Sequence, residues 1–306
     1  MKKEFDFVGK RKLFACISLG IFALCIMCTL IMGVELDISF KGGSLLKYSY
    51  AGELDADAVE DTVNEIITEN LAVDLTTSGN EPMVSISTTQ VLTPEEQSKV
   101  TTALEKAYPN AKLEALGLNA LQPSMGQKFF IKCIVAVVLA SVFLVVYIGF
   151  RFRKIGGVSA GMFSVLALLN DLIVAYFAFV VLRIPLNDNF VAVLLTILGY
   201  SLNDTIVIYD RIRENRQKMG KDYTIGEIVN LSINQSFTRT LNTSICTALA
   251  LATVAVVGVV FGMESIVSLV IPMLIGVLSG FYTSVCLCAP LWTAWIERKT
   301  GKKKAK

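Results

Sequence analysis

Two carboxylates stand inside long apolar runs of this sequence, and they are the residues with chemistry to offer. Asp171 lies about halfway along one run and Asp204 in the later half of the next. An aspartate at mid-bilayer costs roughly 2.5–3.5 kcal/mol on insertion scales, so an acid there needs a reason. Their settings match: Leu169-Asn170-Asp171-Leu172-Ile173-Val174-Ala175-Tyr176 and Leu202-Asn203-Asp204-Thr205-Ile206-Val207-Ile208-Tyr209 differ at two of eight positions. Arg239 opens a further apolar run and puts a base at a depth comparable with Asp204. One reading of this acid and base is a structural ion pair joining two helices. The other is a proton relay, in which apolar surroundings favour the protonated acid, an approaching guanidinium favours the carboxylate, and a helix movement alternates the two. A charge crossing the membrane field carries about 2.3 kcal/mol per 100 mV, enough to bias such a movement. Asp210, beside Arg211 and Arg213, reads as an interfacial acid.

The sequence contains no histidine, which removes histidine triads, imidazole metal sites and imidazole proton shuttles. The seven cysteines (Cys16, Cys25, Cys28, Cys133, Cys246, Cys286 and Cys288) all lie in apolar runs, so neither disulfides nor thiolate metal sites are expected. A membrane hydrolase would require an activated nucleophile or two facing carboxylates; Asp171 and Asp204 are estimated at different depths, without the glycine-flanked motif usual for intramembrane enzymes. The chain does not read as an enzyme.

The elements that must position these groups are membrane helices. Of 306 residues, 54% are hydrophobic and 18% charged, with a mean hydropathy of +0.60; soluble domains carry about 25% charge. Runs of roughly 20 apolar residues occur at about 13–33, 129–150, 157–182, 190–210, 240–262 and 266–290. The first has the basic start of a signal peptide, but it is long enough to span and shows no small-x-small site before Glu35, so it is expected to remain as an anchor. Basic residues flank alternate ends: Lys10 to Lys12, Arg151 to Lys154, Arg211 to Lys221, and Arg298 to Lys306. This places both termini in the cytoplasm, with a tail at 1–12, a loop at 211–239 and a basic tail at 291–306. The segment 34–128 then forms an extracytoplasmic domain. Between residues 41 and 128 six lysines face thirteen acids, a net of −7, which gives no basis for nucleic-acid binding.

That domain reads as β-α-β-β-α-β: a strand at 44–51, a helix from Asp55 to about Asn70, strands at 71–77 and 83–88, a helix ending at Ala107 and a strand at 112–118. Val59, Val63, Ile66 and Ile67 share one helical face. Thr93, Pro94 and Glu96 form a capping box with proline at the first helical position. This order is the ferredoxin-like pattern, which says little about function by itself. The expected fold is therefore an α-helical polytopic membrane protein of six transmembrane helices, with one α+β ferredoxin-like extracytoplasmic domain between the first and second spans. In the last two spans Gly258 and Gly262, and Gly276 and Gly280, have the four-residue spacing that lets helices approach closely. Pro272 and Pro290 are expected to kink or end the sixth span.

The run Gly199-Tyr200-Ser201-Leu202-Asn203-Asp204-Thr205-Ile206-Val207-Ile208-Tyr209 followed by Asp210-Arg211-Ile212-Arg213-Glu214-Asn215 resembles the fourth-span signature of the SecF family, the smaller subunit of the SecD–SecF export complex within the resistance-nodulation-division superfamily. Ser236 to Ser244 is similar to that family's fifth-span start. Asp37-Ile38-Ser39-Phe40-Lys41-Gly42-Gly43 resembles its Gly-x-Asp-Phe-x-Gly-Gly element, with Ser39 at the usual aspartate position. The resemblance implies a proton-driven accessory to the SecYEG channel in the bacterial plasma membrane. It implies SecD as partner, SecA as an indirect one, and a translocating preprotein as client. Asp204 is implied as the relay acid, Arg239 as its partner and Asp171, a third-span acid, as a further member of the proton relay. No cofactor is implied; H+ is the coupling ion, with Na+ substituting in some members. Two readings outside export remain open from the residues: a half-transporter for a small molecule or lipid, and a non-transporting scaffold.

Overall fold

The computed structural model describes residues 5–52, 54–67, 71–78, 81–121, 123–220 and 223–304. Six of the described helices or helical runs are long and apolar enough to cross a membrane. They comprise α1 (Arg11–Met32), α5 (Pro123–Arg151), α6 (Gly157–Val181), α7 (Asp188–Met219), α8 (Ile225–Val260) and a continuous run of α9 (Glu264–Tyr282), a π-helical segment (Thr283–Cys288) and α10 (Ala289–Lys304). The chain is a multi-pass membrane protein.

α6, α7 and α9 form the packed centre; α1 and α5 lie against α6, and α8 against α7 and α9. Burial follows this order, with α6 and α7 half covered and α1 and α5 almost wholly exposed along their apolar lengths. The core at one end joins Phe152, Leu202, Ile208, Tyr209, Ile233 and Trp292.

At the basic end the segments outside the apolar runs are largely helical. Residues 211–219 and 225–239 continue α7 and α8 within the stretch between the fourth and fifth spans, and the basic segment after the sixth lies in α10. For α8 the reason is local: Thr224 caps it, its hydroxyl and backbone N–H reciprocating with Glu227 in a capping box, so the helix starts far earlier than the apolar run. Hydrophobicity marks the membrane portion of a helix, not its ends.

The sixth span also runs on through its prolines. Pro272 lies inside α9. Pro290 lacks the N–H that the Cys286 carbonyl would accept from and crowds that carbonyl. The backbone widens into the π segment immediately before it, a recognised way of absorbing such a misfit.

Between α1 and α5, the single helical turn α2 (Ile38–Lys41) leads into a small α+β unit: β1 (Gly43–Ser49), α3 (Ala56–Asn64), β2 (Leu71–Ser78), β3 (Glu81–Thr88), α4 (Pro94–Ala107) and β4 (Glu114–Leu121). Its sheet has the order β2-β3-β1-β4, antiparallel throughout. Leu46, Tyr48, Val84 and Ile86 pack beneath Val59, Val63, Val100 and Leu104, so both helices cover one face. α4 carries the capping box expected from Thr93 and Glu96. α3 stops at Asn64, earlier than expected; residues 68–70 lie outside the described part.

Candidate functional site

Asp171 is fully buried in α6 and accepts from hydroxyls on two other spans of the bundle. Ser201 of α7 donates to its Oδ2 at 2.6 Å, Ser279 of α9 to its Oδ1 at 2.7 Å, and Thr283, first residue of the π segment, approaches both oxygens at 2.9 Å. A carboxylate removed from water is tolerable only when such donors replace the lost hydration. Asp171 is therefore a structural junction of the third, fourth and sixth spans.

Asp204 is equally enclosed, at 2% exposure, but thinly held. Ser244 of α8 donates to Oδ2 at 3.3 Å and is its one hydrogen-bond partner among the described residues. Ser201, which binds Asp171, precedes Asp204 by three residues, so the two acids meet neighbouring positions on one face of α7. Below them, Ser284 donates to the Ser201 carbonyl at 3.1 Å and shares a hydrogen bond with Thr205 at 2.9 Å; Tyr209 meets Cys288 at 3.3 Å and the Ala160 carbonyl at 3.3 Å. A buried column of hydroxyls thus continues from the two acids toward the basic end.

Arg239 is on α8, five residues before Ser244, and its side chain is exposed. It enters no ion pair among the described residues, so this conformation does not bring Asp204 and Arg239 together. Position along a helix was legible; azimuth was not. At 1.5 Å per residue Arg239 sits about 7.5 Å along the axis from Ser244. Ser201, Ser279 and Thr283 were missed as site residues because no linear spacing links them; the signal available was hydroxyls recurring in otherwise apolar spans.

The Asp-Arg-Ile-Arg-Glu-Asn run ties the basic ends together. Asp210 pairs with Arg151 of α5 at 3.1 Å and Arg213 at 2.8 Å, and Arg211 donates to Gln235 and Glu214, each at 2.6 Å. Asn215 donates to Ser232 at 2.8 Å and Gln235 at 2.9 Å across the α7–α8 contact. Asn203, in contrast, is exposed.

At the sheet end Phe40 is buried among Ala175, Phe179, Leu186, Val193 and Ile197, and meets Phe130 edge-on at 5.4 Å. Gly42 and Gly43 both have positive φ, and a Cβ at Gly43 would collide with the Thr88 carbonyl. The Phe-x-Gly-Gly element is thus the joint between bundle and sheet.

Of the glycines, Gly276 lies against Ile197 and Gly280 against Ser201, where a Cβ would come within 2.9 Å of the Ser201 Cβ. Both let α9 approach α7 beside the acids. Gly258 faces Val267, whereas Gly262 is in the turn after α8 with φ +62°.

The family described as "Protein export membrane protein SecD/SecF, C-terminal" matches residues 99–298. The protein translocase subunit SecF of Alicyclobacillus acidocaldarius is 32% identical over 303 residues, covering 99% of this chain and 96% of that one. The chain belongs to the SecF family. The SecF of Petrotoga mobilis is 30% identical over 98% of this chain and 99% of its own. The SecDF of Bacillus subtilis is also 30% identical over 99% of this chain, which spans only 40% of that longer protein. The crystal structure of SecDF from Thermus thermophilus, a translocon-associated membrane protein, superposes with a TM-score of 0.79 and 25% identity over 97% of this chain and 39% of its own.

Proposed function

We propose that this SecF-family chain works with a SecD partner as a proton-motive-force-driven accessory of the SecYEG channel, helping SecA-delivered preproteins to complete translocation. The observation that carries this reading is the contrast between the two buried acids. Asp171 has its carboxylate fully occupied, whereas Asp204 has one long hydroxyl contact and a cation, Arg239, on the neighbouring helix that is not engaged. A group left this free inside a membrane bundle is able to change protonation without dismantling the fold.

Arg239 itself is uncovered on a membrane helix, which favours a second membrane protein against α8. SecD is the partner that the fused SecDF relatives suggest. Movement of α8 relative to α7 would bring the guanidinium toward Asp204, release its proton, and return when the proton is regained. H+ is the proposed ion. Asp171, Ser201 and the hydroxyl column would hold the helices in register while this occurs.

The basic ends of α5, α7 and α10, tied to the N-terminal region by the Arg11–Glu297 pair at 2.8 Å, support a cytoplasmic location for that end of the bundle and for both termini. The α+β unit would lie outside, in the bacterial plasma membrane setting. Its strand order and one-sided helices support the ferredoxin-like reading, and its role is mechanical: it is the part that proton flow moves.

Vesicles containing the channel, SecA, SecD and this chain test the proposal by translocation completion under an imposed proton gradient. Asp204→Asn should assemble normally and lose the gradient-dependent gain. An unchanged gain would leave Asp204 as packing and return the scaffold reading.

A further inference from the structure

The helix-free face of the sheet has its own feature. Along β1, Leu46 and Tyr48 point toward α3 and α4, so Lys47 between them points the other way, as do Met83 and Ser85 on β3. That face overlooks a cleft of about 900 Å³ whose opposite wall is the turn after α6, the end of α8 and the start of α9, including Ile184, Val259 and Ser265. A volume of this order suits a ligand of substantial size. Its lining is mixed, with thioether, aliphatic and hydroxyl groups alternating. Because the wall consists of the ends of spans, the cleft lies at the boundary between hydrocarbon and headgroups.

Charge narrows the occupant. The lining includes two cations, Lys47 and Arg183, and among the described residues no acid. Arg183 is already held by Glu35 at 3.2 Å. Lys47 is half-buried, and its ammonium enters no hydrogen bond or ion pair among the described residues, which leaves it free to meet a ligand in the cleft. This ammonium projects into the cleft from a region with a net charge of −7. Its complement is an anion attached to something apolar, at the depth of the headgroups.

We propose that the cleft is a binding site for one anionic phospholipid of the surrounding leaflet. The phosphate sits on the Lys47 ammonium, the ester region lies beside the Ser85 and Ser265 hydroxyls, and the upper acyl chain runs along Ile184 and Val259. The lipid would connect the sheet to the span ends and set the tilt of one on the other. A free phosphate satisfies Lys47 but leaves the aliphatic wall unused.

The test uses the full chain in phosphatidylcholine nanodiscs doped with phosphatidylglycerol bearing a photoactivatable group high on one acyl chain. Labelled peptides should contain Met83 and the 259–268 turn. Lys47→Gln should reduce that labelling about fivefold, the effect of one basic residue near an anionic surface, and Lys47→Arg should restore it. Val259→Trp, which fills the cleft from the opposite wall, should reduce it without touching the sheet. Excess inorganic phosphate should not compete. Labelling unaffected by Lys47→Gln and Val259→Trp would overturn the proposal. So would displacement by inorganic phosphate, or by an extended unfolded peptide, which would make the cleft a peptide site.

Discussion

Asp171 and Asp204 occupy near-identical octets, yet their surroundings divide the work. Substituting Asp171 removes the acceptor of three hydroxyls, two of them fully buried, and each buried donor left orphaned costs about 1–3 kcal/mol where no replacement exists. Asp171→Ala is therefore expected to lower the thermal midpoint in nanodiscs markedly, while Asp204→Asn, losing one 3.3 Å contact, leaves it nearly unchanged. Equal losses would contradict the division. This difference was not legible from the octets, because what separates them is the set of hydroxyls that tertiary packing brings to Asp171. The presence of both acids in apolar spans was legible, since the insertion penalty makes any such acid informative. The expected Asp204–Arg239 contact was a statement about depth alone, and in this conformation Arg239 is exposed and makes no ion pair with the acid.

Elements were read most securely where local chemistry fixes them. The Thr93–Glu96 box is one case: the Thr93 backbone N–H, and then its hydroxyl, hold the Glu96 carboxyl below the usual range. A carboxyl depressed on folding adds stability above its unfolded value, near pH 4.3, and that contribution is lost as pH falls through the lower folded value. Unfolding of the α+β unit followed from pH 6 to pH 2 should show this acid-side loss, and Glu96→Gln should flatten it. Thr93→Ala should cost about 1 kcal/mol at neutral pH. Helix contacts between distant glycines are a second case. A Cβ at Gly276 would stand 2.7 Å from Cγ1 of the buried Ile197, so Gly276→Ala should destabilise the α7–α9 contact by about 1–3 kcal/mol through overpacking; unchanged unfolding in nanodiscs would count against it. The π segment and the helical extension of α7 past residue 210 were not legible. Hydrophobic runs report the bilayer and carry no information on hydrogen-bond register or on where a polar helix continues into water.

Across the whole molecule, the acids and the sheet are joined by packed side chains that the sequence could not connect. Asp204, Ser201, Ile197 and Val193 follow one face of α7; Ile197 and Val193 pack in one cluster with Phe40; and Phe40 leads through Lys41 and Gly42 into β1, which starts at Gly43. Alongside runs a backbone link, with Asp37 N–H donating to the Leu186 carbonyl at 3.0 Å and Leu186 N–H to the Glu35 carbonyl at 2.8 Å. Spatial continuity alone does not establish coupling, which requires an element that both ends bias. Phe40→Ala tests whether this joint is that element. Truncating a buried phenylalanine costs about 3–5 kcal/mol in a core, and here the loss falls on the seam between bundle and sheet, not inside either. Hydrogen exchange should therefore quicken at residues 35–43 and 184–187 while protection of β1, β3, α6 and α7 persists. In the vesicle assay the gradient-dependent gain should fall, although Asp204 is untouched. Gly43→Ala should do the same by a different cause, since its φ of +132° and the Thr88 carbonyl both oppose a side chain. If both variants loosen the joint and export keeps its full response to the gradient, force passes from the bundle to the outer unit by another route, and the partner proposed to cover α8 becomes the place to seek it.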